Sequence, residues 1–215
     1  VRWYRSQFPT QRELAAVAAE QRGAAGGERA VTGEASPYYL FHPLAAERMT
    51  SVVPSTRVIA LLRDPVDRAL SHYHHAVRLG VEDLSLEAAI DREAERLAGE
   101  ESRLVEQPDA ESFAHRQHSY LARGRYLGQL KRFEAYRSAG RLLVLRSEDL
   151  FGDPQRGFDE TLAFLGLPPW RLTDVRARNT GEYSGPDAAV AARLRAYFEP
   201  HNRALYEYLG RDLGW

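Results

Sequence analysis

The feature that most constrains this chain is residues 58–80, where a short apolar run ends abruptly and a helix begins. Residues 58–62 read VIALL, a continuous apolar stretch that is typical of a strand covered on both faces. Asp64 is a good N-cap, and Pro65 suits the first helical position, where a missing N–H costs nothing. The pattern therefore predicts a strand, a tight turn and a helix in immediate succession.

Arg63 stands at the carboxyl end of this predicted strand, the edge where open α/β sheets bind ligands. Its planar fork of donors, beside a helix N-terminus, suits a phosphate or a sulfate. Ser71 follows eight residues later and adds a hydroxyl donor if the ligand lies along the helix. An ordinary strand–helix unit, in which Arg63 pairs with Asp64 or Asp67, is an equally good interpretation of these residues.

The rest of the chain predicts a second strand and several helices. Residues 141–145 read RLLVL and are followed by Arg146, and Asp153 with Pro154 repeats the cap-plus-proline signal. Two buried strands separated by helices favour a layered α/β fold with a parallel sheet. Helices are predicted at residues 10–20, 43–51, 84–98, 112–139, 154–165 and 187–209, with Gly124 as a candidate break and an exposed loop at residues 99–111.

Composition excludes several classes of protein. A length of 215 residues suits one domain, and a net charge of −1 lacks the basic excess of nucleic-acid-binding proteins. No stretch approaches the roughly 20 apolar residues of a membrane span, and the N-terminus has no signal-peptide core. The chain has no cysteine, which excludes disulfides and favours a reducing, cytoplasmic location. Because it begins at Val1 rather than at methionine, we expect it to be cut from a longer protein.

The histidines do not predict a metal site. His72, His74 and His75 point in different directions on a helix, whereas metal ligands normally lie at i and i+4 on one face. Each is expected to be a surface or hydrogen-bonded side chain; the alternative places one of them, or His42, near a substrate as a proton acceptor.

Other enzyme motifs are absent, and the remaining arginines look structural. The sequence has neither the G-x-S-x-G motif of hydrolases nor a Walker loop. Arg68, Arg123 and Arg125 are expected to pair with carboxylates or to cap helices, and Arg125 alternatively meets an anionic substrate.

The segment LLRDPVDRALSHY resembles the 3′-phosphate-binding segment of sulfotransferases that use 3′-phosphoadenosine 5′-phosphosulfate (PAPS). Five further segments resemble bacterial sulfotransferase domains in the same order, and the heparan-sulfate sulfotransferases are the nearest well-known relatives. The resemblance implies a three-layer α/β/α fold with a central parallel sheet, related to the P-loop nucleotide hydrolases. It also implies that Arg63 and Ser71 hold the 3′-phosphate, that Tyr183 lies near the nucleotide, and that no metal is needed. The five segments are WYRSQFP, GEASPYYLFHP, SYLARGRYLGQL, LLVLRSEDL and NRALYEYLGRDLGW.

The sequence departs from this family at its catalytic parts. In the family the phosphosulfate-binding loop precedes the WYRSQFP-like segment, as does the acidic base of the heparan-sulfate branch. Both are therefore expected upstream of Val1, which leaves the catalytic residues unassigned. Ala35 follows Glu34 where some relatives carry a catalytic lysine, and we expect Glu34 to be a paired structural carboxylate rather than a group facing the acceptor. Residues 1–215 are thus predicted to form one sulfotransferase-like domain without its first strand and loop.

The resemblance predicts an enzyme that transfers a sulfuryl group from PAPS to a hydroxyl or amine. The acceptor is a small molecule, a glycan or a lipid, and the loops at residues 99–111 and 167–186 are where its identity is expected to be decided. A non-catalytic nucleotide- or anion-binding module that keeps only the 3′-phosphate site is the alternative, and a purely structural α/β domain is a third. The sequence does not indicate an oligomeric state.

Overall fold

A computed structural model describes residues 6–20, 30–175 and 187–215. These residues form two strands and a series of helices, joined by short connections. The strands are β1 (Val58–Leu62) and β2 (Leu142–Arg146). The helices are α1 (Gln11–Glu20), α2 (Ala45–Val52), α3 (Pro65–Arg78), α4 (Leu86–Leu97), α5 (Glu100–Glu106), α6 (Phe113–Gln117), a 3₁₀ turn (Ala122–Gly124), α7 (Tyr126–Arg132), α8 (Glu134–Ser138), α9 (Ser147–Gly152), α10 (Pro154–Leu165) and α11 (Ala188–Leu209).

The two strands pair in parallel, as the sequence predicted. Their register runs from Val58 opposite Leu142 to Leu62 opposite Arg146. On one face of this small sheet, Ala60 and Leu62 pack into a cluster with residues of α7, α11 and the C-terminal segment. That cluster contains Tyr126, Leu130, Leu205 and Leu213. The layered α/β architecture is confirmed, and both strands direct their carboxyl ends to one edge.

The other face of β1 is open. Ile59 is 40% exposed and Leu61 is 47% exposed. The prediction of a strand covered on both faces is therefore wrong for β1, because an apolar run does not reveal which of its two faces another layer covers.

A second core holds α3 against its neighbours. Val66 and Leu70 of α3 pack with Ile90 of α4 and with Leu194 and Phe198 of α11. Because this face of α3 is buried, the helix is fixed relative to the sheet edge where it begins. Near the end of α3, Ala76 is 2% exposed and faces the core, whereas the next residue, Val77, is 43% exposed.

The predicted helix over residues 112–139 is wrong as a single element. The buried carboxylate of Glu93 accepts hydrogen bonds from the Leu121 and Ala122 amides at 2.6 and 2.7 Å. Those amides are thereby diverted from a continuous helix, and the chain forms α6, the 3₁₀ turn, α7 and α8 instead. The turn ends at Gly124, the residue that the sequence marked as a candidate break.

The predicted loop at residues 99–111 contains helix α5, whose Leu104 is only 1% exposed. An extended loop over this whole range is therefore a wrong prediction. Helix α11 continues through Pro200. In the described part of the chain, no helix combines the length and the hydropathy needed to cross a membrane.

Candidate functional site

The turn between β1 and α3 is held at both ends. The Asp64 carboxylate accepts hydrogen bonds from the amides of Val66 at 2.7 Å and Asp67 at 3.2 Å, which is the predicted N-cap. The Asp64 amide donates to Glu148 Oε1 at 2.8 Å, which ties the turn to the segment that follows β2. Because Asp64 caps the amides of Val66 and Asp67, the donor that this turn offers to an anion is the Arg63 guanidinium rather than those amides.

Arg63 lies where the sequence placed it, directly after β1. Its carbonyl accepts a hydrogen bond from the Tyr126 hydroxyl at 2.9 Å, which fixes the backbone. Its guanidinium lies 3.4 Å from the Asp67 carboxylate, and the two side chains are 40% and 56% exposed. An exposed pair at this distance contributes little, on the order of 0–1 kcal/mol, so Arg63 is held loosely.

Ser71 lies two turns along α3, one turn after Asp67, the residue that contacts the Arg63 guanidinium. It is half-buried, and its hydroxyl has no hydrogen-bond partner in the described residues. Arg63 and Ser71 are thus two donors near the start of α3, both linked in position to Asp67. Tyr183, the third predicted nucleotide contact, is outside the described residues.

Arg146, the second arginine at the sheet edge, is paired with two carboxylates. Arg146 Nε lies 3.4 Å from Glu148 Oε2, and Arg146 Nη1 lies 3.0 Å from Asp149 Oδ1. Of the two arginines at the strand ends, Arg63 is therefore the one available to an anion from solvent.

Arg68 and Arg123 were predicted to pair with carboxylates or to cap helices. Neither forms an ion pair among the described residues, and the capping alternative holds for Arg123, because Arg116 lies in the last turn of α6. Arg68 Nη2 donates to the Tyr120 carbonyl, and Arg123 Nη2 donates to the Arg116 carbonyl. Both Nε atoms are buried without a hydrogen-bond partner. Burial, together with the positive charge of Arg68, lowers the pKa of Arg123 to about 10.

A cluster of aromatic rings and histidines lies beside Arg123, and sequence reasoning missed it. The Tyr38 hydroxyl lies 2.7 Å from His115 Nδ1, and the Phe41 ring stacks on the His115 ring with centroids 4.1 Å apart. His115 is 2% exposed, and burial followed by the charge of Arg123 lowers its pKa to about 4, so its ring is neutral at pH 7. Tyr38 and His115 are far apart in sequence, and no local pattern indicates that they meet.

The helical histidines do not converge on one point. His72 lies 3.5 Å from Arg68 Nη1, and burial followed by that positive charge lowers the pKa of His72 to about 3. His75 Nδ1 lies 2.8 Å from Arg78 Nη2 on the exposed side of α3. Among the residues with described positions, no three histidine or acidic side chains are grouped so as to hold a metal. Glu34 accepts a hydrogen bond from the Tyr39 hydroxyl at 2.5 Å.

Comparison with known proteins gives the family. The family model of the sulfotransferase domain matches residues 35–180, which is more than half of the chain. The chain belongs to the sulfotransferase domain family. A solved sulfotransferase from Alicyclobacillus acidocaldarius superposes with a TM-score of 0.64 and is 33% identical, over 91% of this chain and 71% of that chain. Both the family and the fold that the sequence predicted are confirmed.

Curated relatives of this sulfotransferase domain are more distant. The membrane-associated sulfotransferase kil1 of Dictyostelium discoideum is 22% identical over 85% of this chain and 53% of that protein. The mouse heparan sulfate glucosamine 3-O-sulfotransferase 3A1 is 26% identical over 87% of this chain and 50% of that protein. The chain thus spans about half the length of these curated relatives.

Proposed function

We propose that this chain takes part in sulfuryl transfer from PAPS and that Arg63 and Ser71 hold the 3′-phosphate of the nucleotide. The proposal rests on one observation: within a sulfotransferase domain, these two side chains have few hydrogen-bond or ion-pair partners. Arg63 has only an exposed contact of 3.4 Å to Asp67, and the Ser71 hydroxyl has no partner among the described residues. A 3′-phosphate supplies an acceptor for the Ser71 hydroxyl and a closer, more highly charged acceptor for Arg63 than the exposed Asp67 carboxylate.

The reaction is an in-line displacement. A hydroxyl oxygen or amine nitrogen of the acceptor forms a bond to sulfur while the bond from sulfur to the 5′-phosphate oxygen breaks. The acceptor proton passes to a base that is not among the residues assigned, and 3′-phosphoadenosine 5′-phosphate leaves. The chemistry of the acceptor follows from the relatives only as a class, and a glycan is the class that the name of the mouse relative favours. Tyr183 as a nucleotide contact and a cytoplasmic location stay predictions.

Calorimetric titration with 3′-phosphoadenosine 5′-phosphate tests the nucleotide site. Arg63→Ala removes a charge-assisted hydrogen bond, which is worth about 1.5–3 kcal/mol, so a loss of affinity of roughly tenfold to a hundredfold is expected. Ser71→Ala removes a neutral donor, and a loss of about twofold to tenfold is expected. The matched control is Arg146→Ala, because Arg146 has the same place on β2 but is already paired.

Adenosine 5′-phosphate lacks the 3′-phosphate and separates the two parts of the nucleotide. It is expected to bind the wild type weakly and to respond little to Arg63→Ala or Ser71→Ala. If Arg146→Ala weakened 3′-phosphoadenosine 5′-phosphate as much as Arg63→Ala did, the assignment of the site would be wrong.

A non-catalytic nucleotide-binding module is the second candidate. Ala35 favours it, because some members of the family carry a catalytic lysine at that place. Such a module gives the same titration results but no sulfated product when PAPS and acceptors are supplied to the full-length protein.

A further inference from the structure

Arg123 is a partly buried cation with no acidic partner. Its Nη2 donates to the Arg116 carbonyl, its Nε is buried without a hydrogen-bond partner, and no carboxylate forms an ion pair with it within the described ranges. Removing a guanidinium from water in this way is unfavourable unless hydrogen bonds or an opposite charge compensate. The site is therefore incomplete by at least one hydrogen-bond acceptor.

Arg123 lies at the same end of α3 as the proposed phosphate site. A Cβ built on the neighbouring Gly124 falls 2.9 Å from Pro65 Cβ, so the backbone beside Arg123 lies directly on the first residue of α3. Tyr126, three residues after Arg123, bonds to the Arg63 carbonyl. The charge of Arg63 contributes to lowering the pKa of Arg68, and the charge of Arg68 contributes to lowering the pKa of Arg123, so the three arginines lie close enough to interact.

Two aromatic rings fix the position of this guanidinium. The Arg123 Cζ lies 5.2 Å from the centroid of the Tyr38 ring and 5.2 Å from that of the Phe41 ring. Cation–π contacts of this length hold a guanidinium without neutralising it. Both rings are braced by the buried His115, through the Tyr38 hydrogen bond and the Phe41 stack. Arg123 is thus a preorganised positive charge, and preorganised charge is what stabilises a reacting anion.

The segment that leads into Tyr38 supplies no cation of its own. Position 35, three residues before Tyr38, is alanine, and the cations that lie over the Tyr38 ring come instead from Arg116 and Arg123. Arg116 is exposed, whereas Arg123 is partly enclosed. Of these two guanidiniums, the enclosed one has the stronger field at a bound group, because water screens it less.

We infer that Arg123 binds a sulfo group, namely the one that PAPS carries, and so places a positive charge on the group being transferred. This inference rests on the proposed function for the identity of the donor. The chemistry of Arg123 does not depend on which molecule accepts the sulfuryl group. The planar guanidinium offers paired donors to the oxygens of a sulfate, and its buried Nε–H has no other use in the described structure.

Inorganic sulfate is the probe for this inference. The titration is done in an Arg63→Ala background at constant ionic strength, with chloride as the balancing anion, so that the 3′-phosphate site does not contribute. NMR follows the Nε–H resonance of Arg123, which is identified by its loss in Arg123→Lys. Sulfate is expected to shift this resonance, and Arg123→Met is expected to weaken sulfate binding by roughly tenfold or more.

The matched control is Arg116→Met, which removes the exposed cation from the same ring and is expected to change sulfate affinity by less than about threefold. Arg123→Lys keeps the charge without the planar fork and is expected to lie between wild type and Arg123→Met. Arg123→Lys also replaces Arg123→Met as the test variant if Arg123→Met fails to fold. The inference is overturned if sulfate leaves the Nε–H resonance unmoved, or if neither substitution of Arg123 weakens sulfate.

These outcomes are separate from a failure of the proposed function. If sulfate binds at Arg123 while wild-type protein does not bind 3′-phosphoadenosine 5′-phosphate, the sulfo-group site stands and the nucleotide assignment falls. If the nucleotide binds through Arg63 but sulfate does not bind at Arg123, the nucleotide assignment stands and Arg123 has only a structural role.

Discussion

The two strands of this domain end alike in sequence and differently in structure. β1 is followed directly by Arg63 and by the aspartate–proline pair that starts α3, whereas β2 ends at Arg146 and helix α9 separates it from the aspartate–proline pair that starts α10. At the end of β1, Arg63 has one exposed contact at 3.4 Å. At the end of β2, Arg146 contacts both Glu148 and Asp149. The arginine at one strand end is therefore available, and the arginine at the other is paired with two carboxylates.

The difference teaches that the second unit supports the first. Glu148 contacts Arg146 and also accepts the hydrogen bond from the Asp64 amide at 2.8 Å. The acids after β2 thus have two effects: they neutralise the arginine of their own strand, and they fix the turn that carries Arg63. We interpret the β1–α3 unit as the ligand-binding one and the β2–α10 unit as its support.

The largest expected difference concerns two tightly packed glycines: Gly124, which packs against the start of α3, and Gly157, which lies in α10. A Cβ on Gly124 would lie 2.5 Å from the Phe198 ring and 2.9 Å from Pro65, which are both stiff. A Cβ on Gly157 would lie 2.3 Å from Leu150 Cδ1, the end of a flexible side chain. Gly124→Ala is therefore expected to lower the free energy of unfolding by about 1–3 kcal/mol. Gly157→Ala is expected to stay within about 1 kcal/mol, because the gain in helix propensity offsets the contact.

Urea unfolding of the two variants checks this pair. Equal losses would mean that the contact between Gly124 and the start of α3 is no tighter than the contact between α9 and α10. In that case the preorganisation argued for the β1–α3 unit would lose its support.

The helix caps are expected to differ by less. The Asp64 carboxylate accepts from two amides, whereas Asp153 accepts from one, the Arg156 amide at 3.1 Å. Asp64→Ala is expected to cost about 1–2 kcal/mol and Asp153→Ala about 0.5–1 kcal/mol, measured by thermal or urea unfolding. Asp64→Asn keeps a side-chain oxygen at the cap and is the control, with most of the stability retained. A larger loss for Asp153→Ala would reverse the ranking of the two units.

Local signals predicted these units well. The apolar run predicted the bounds of β1 at residues 58–62, and the helix caps at Asp64 and Asp153 lie where the sequence placed them. Each of these features depends on residues within a few positions of one another, so the sequence contains the whole interaction.

Features that depend on distant partners were not predictable. Glu93 breaks the helix predicted over residues 112–139 from 28 and 29 positions away, through the amides of Leu121 and Ala122. Tyr38 and His115 meet across 77 positions. Arg68 and Arg123 were expected to pair with carboxylates or to cap helices, and the carbonyls that accept their hydrogen bonds, those of Tyr120 and Arg116, were not predictable from local patterns. The proposed sulfo-group site depends on these long-range contacts, and for that reason no sequence motif predicted it.

The smallest expected effect sharpens the contrast between the two arginines. Asp67→Asn removes the carboxylate beside Arg63, which would otherwise repel a 3′-phosphate, and keeps the size of the side chain. Because exposed pairs of this kind contribute on the order of 0.2–1 kcal/mol, affinity for 3′-phosphoadenosine 5′-phosphate is expected to rise by about twofold to fivefold, and less at high salt. Asp149→Asn is the matched control at Arg146 and is expected to leave the affinity unchanged. A fall in affinity for Asp67→Asn would mean that Asp67 orients Arg63 toward the ligand rather than competing with it.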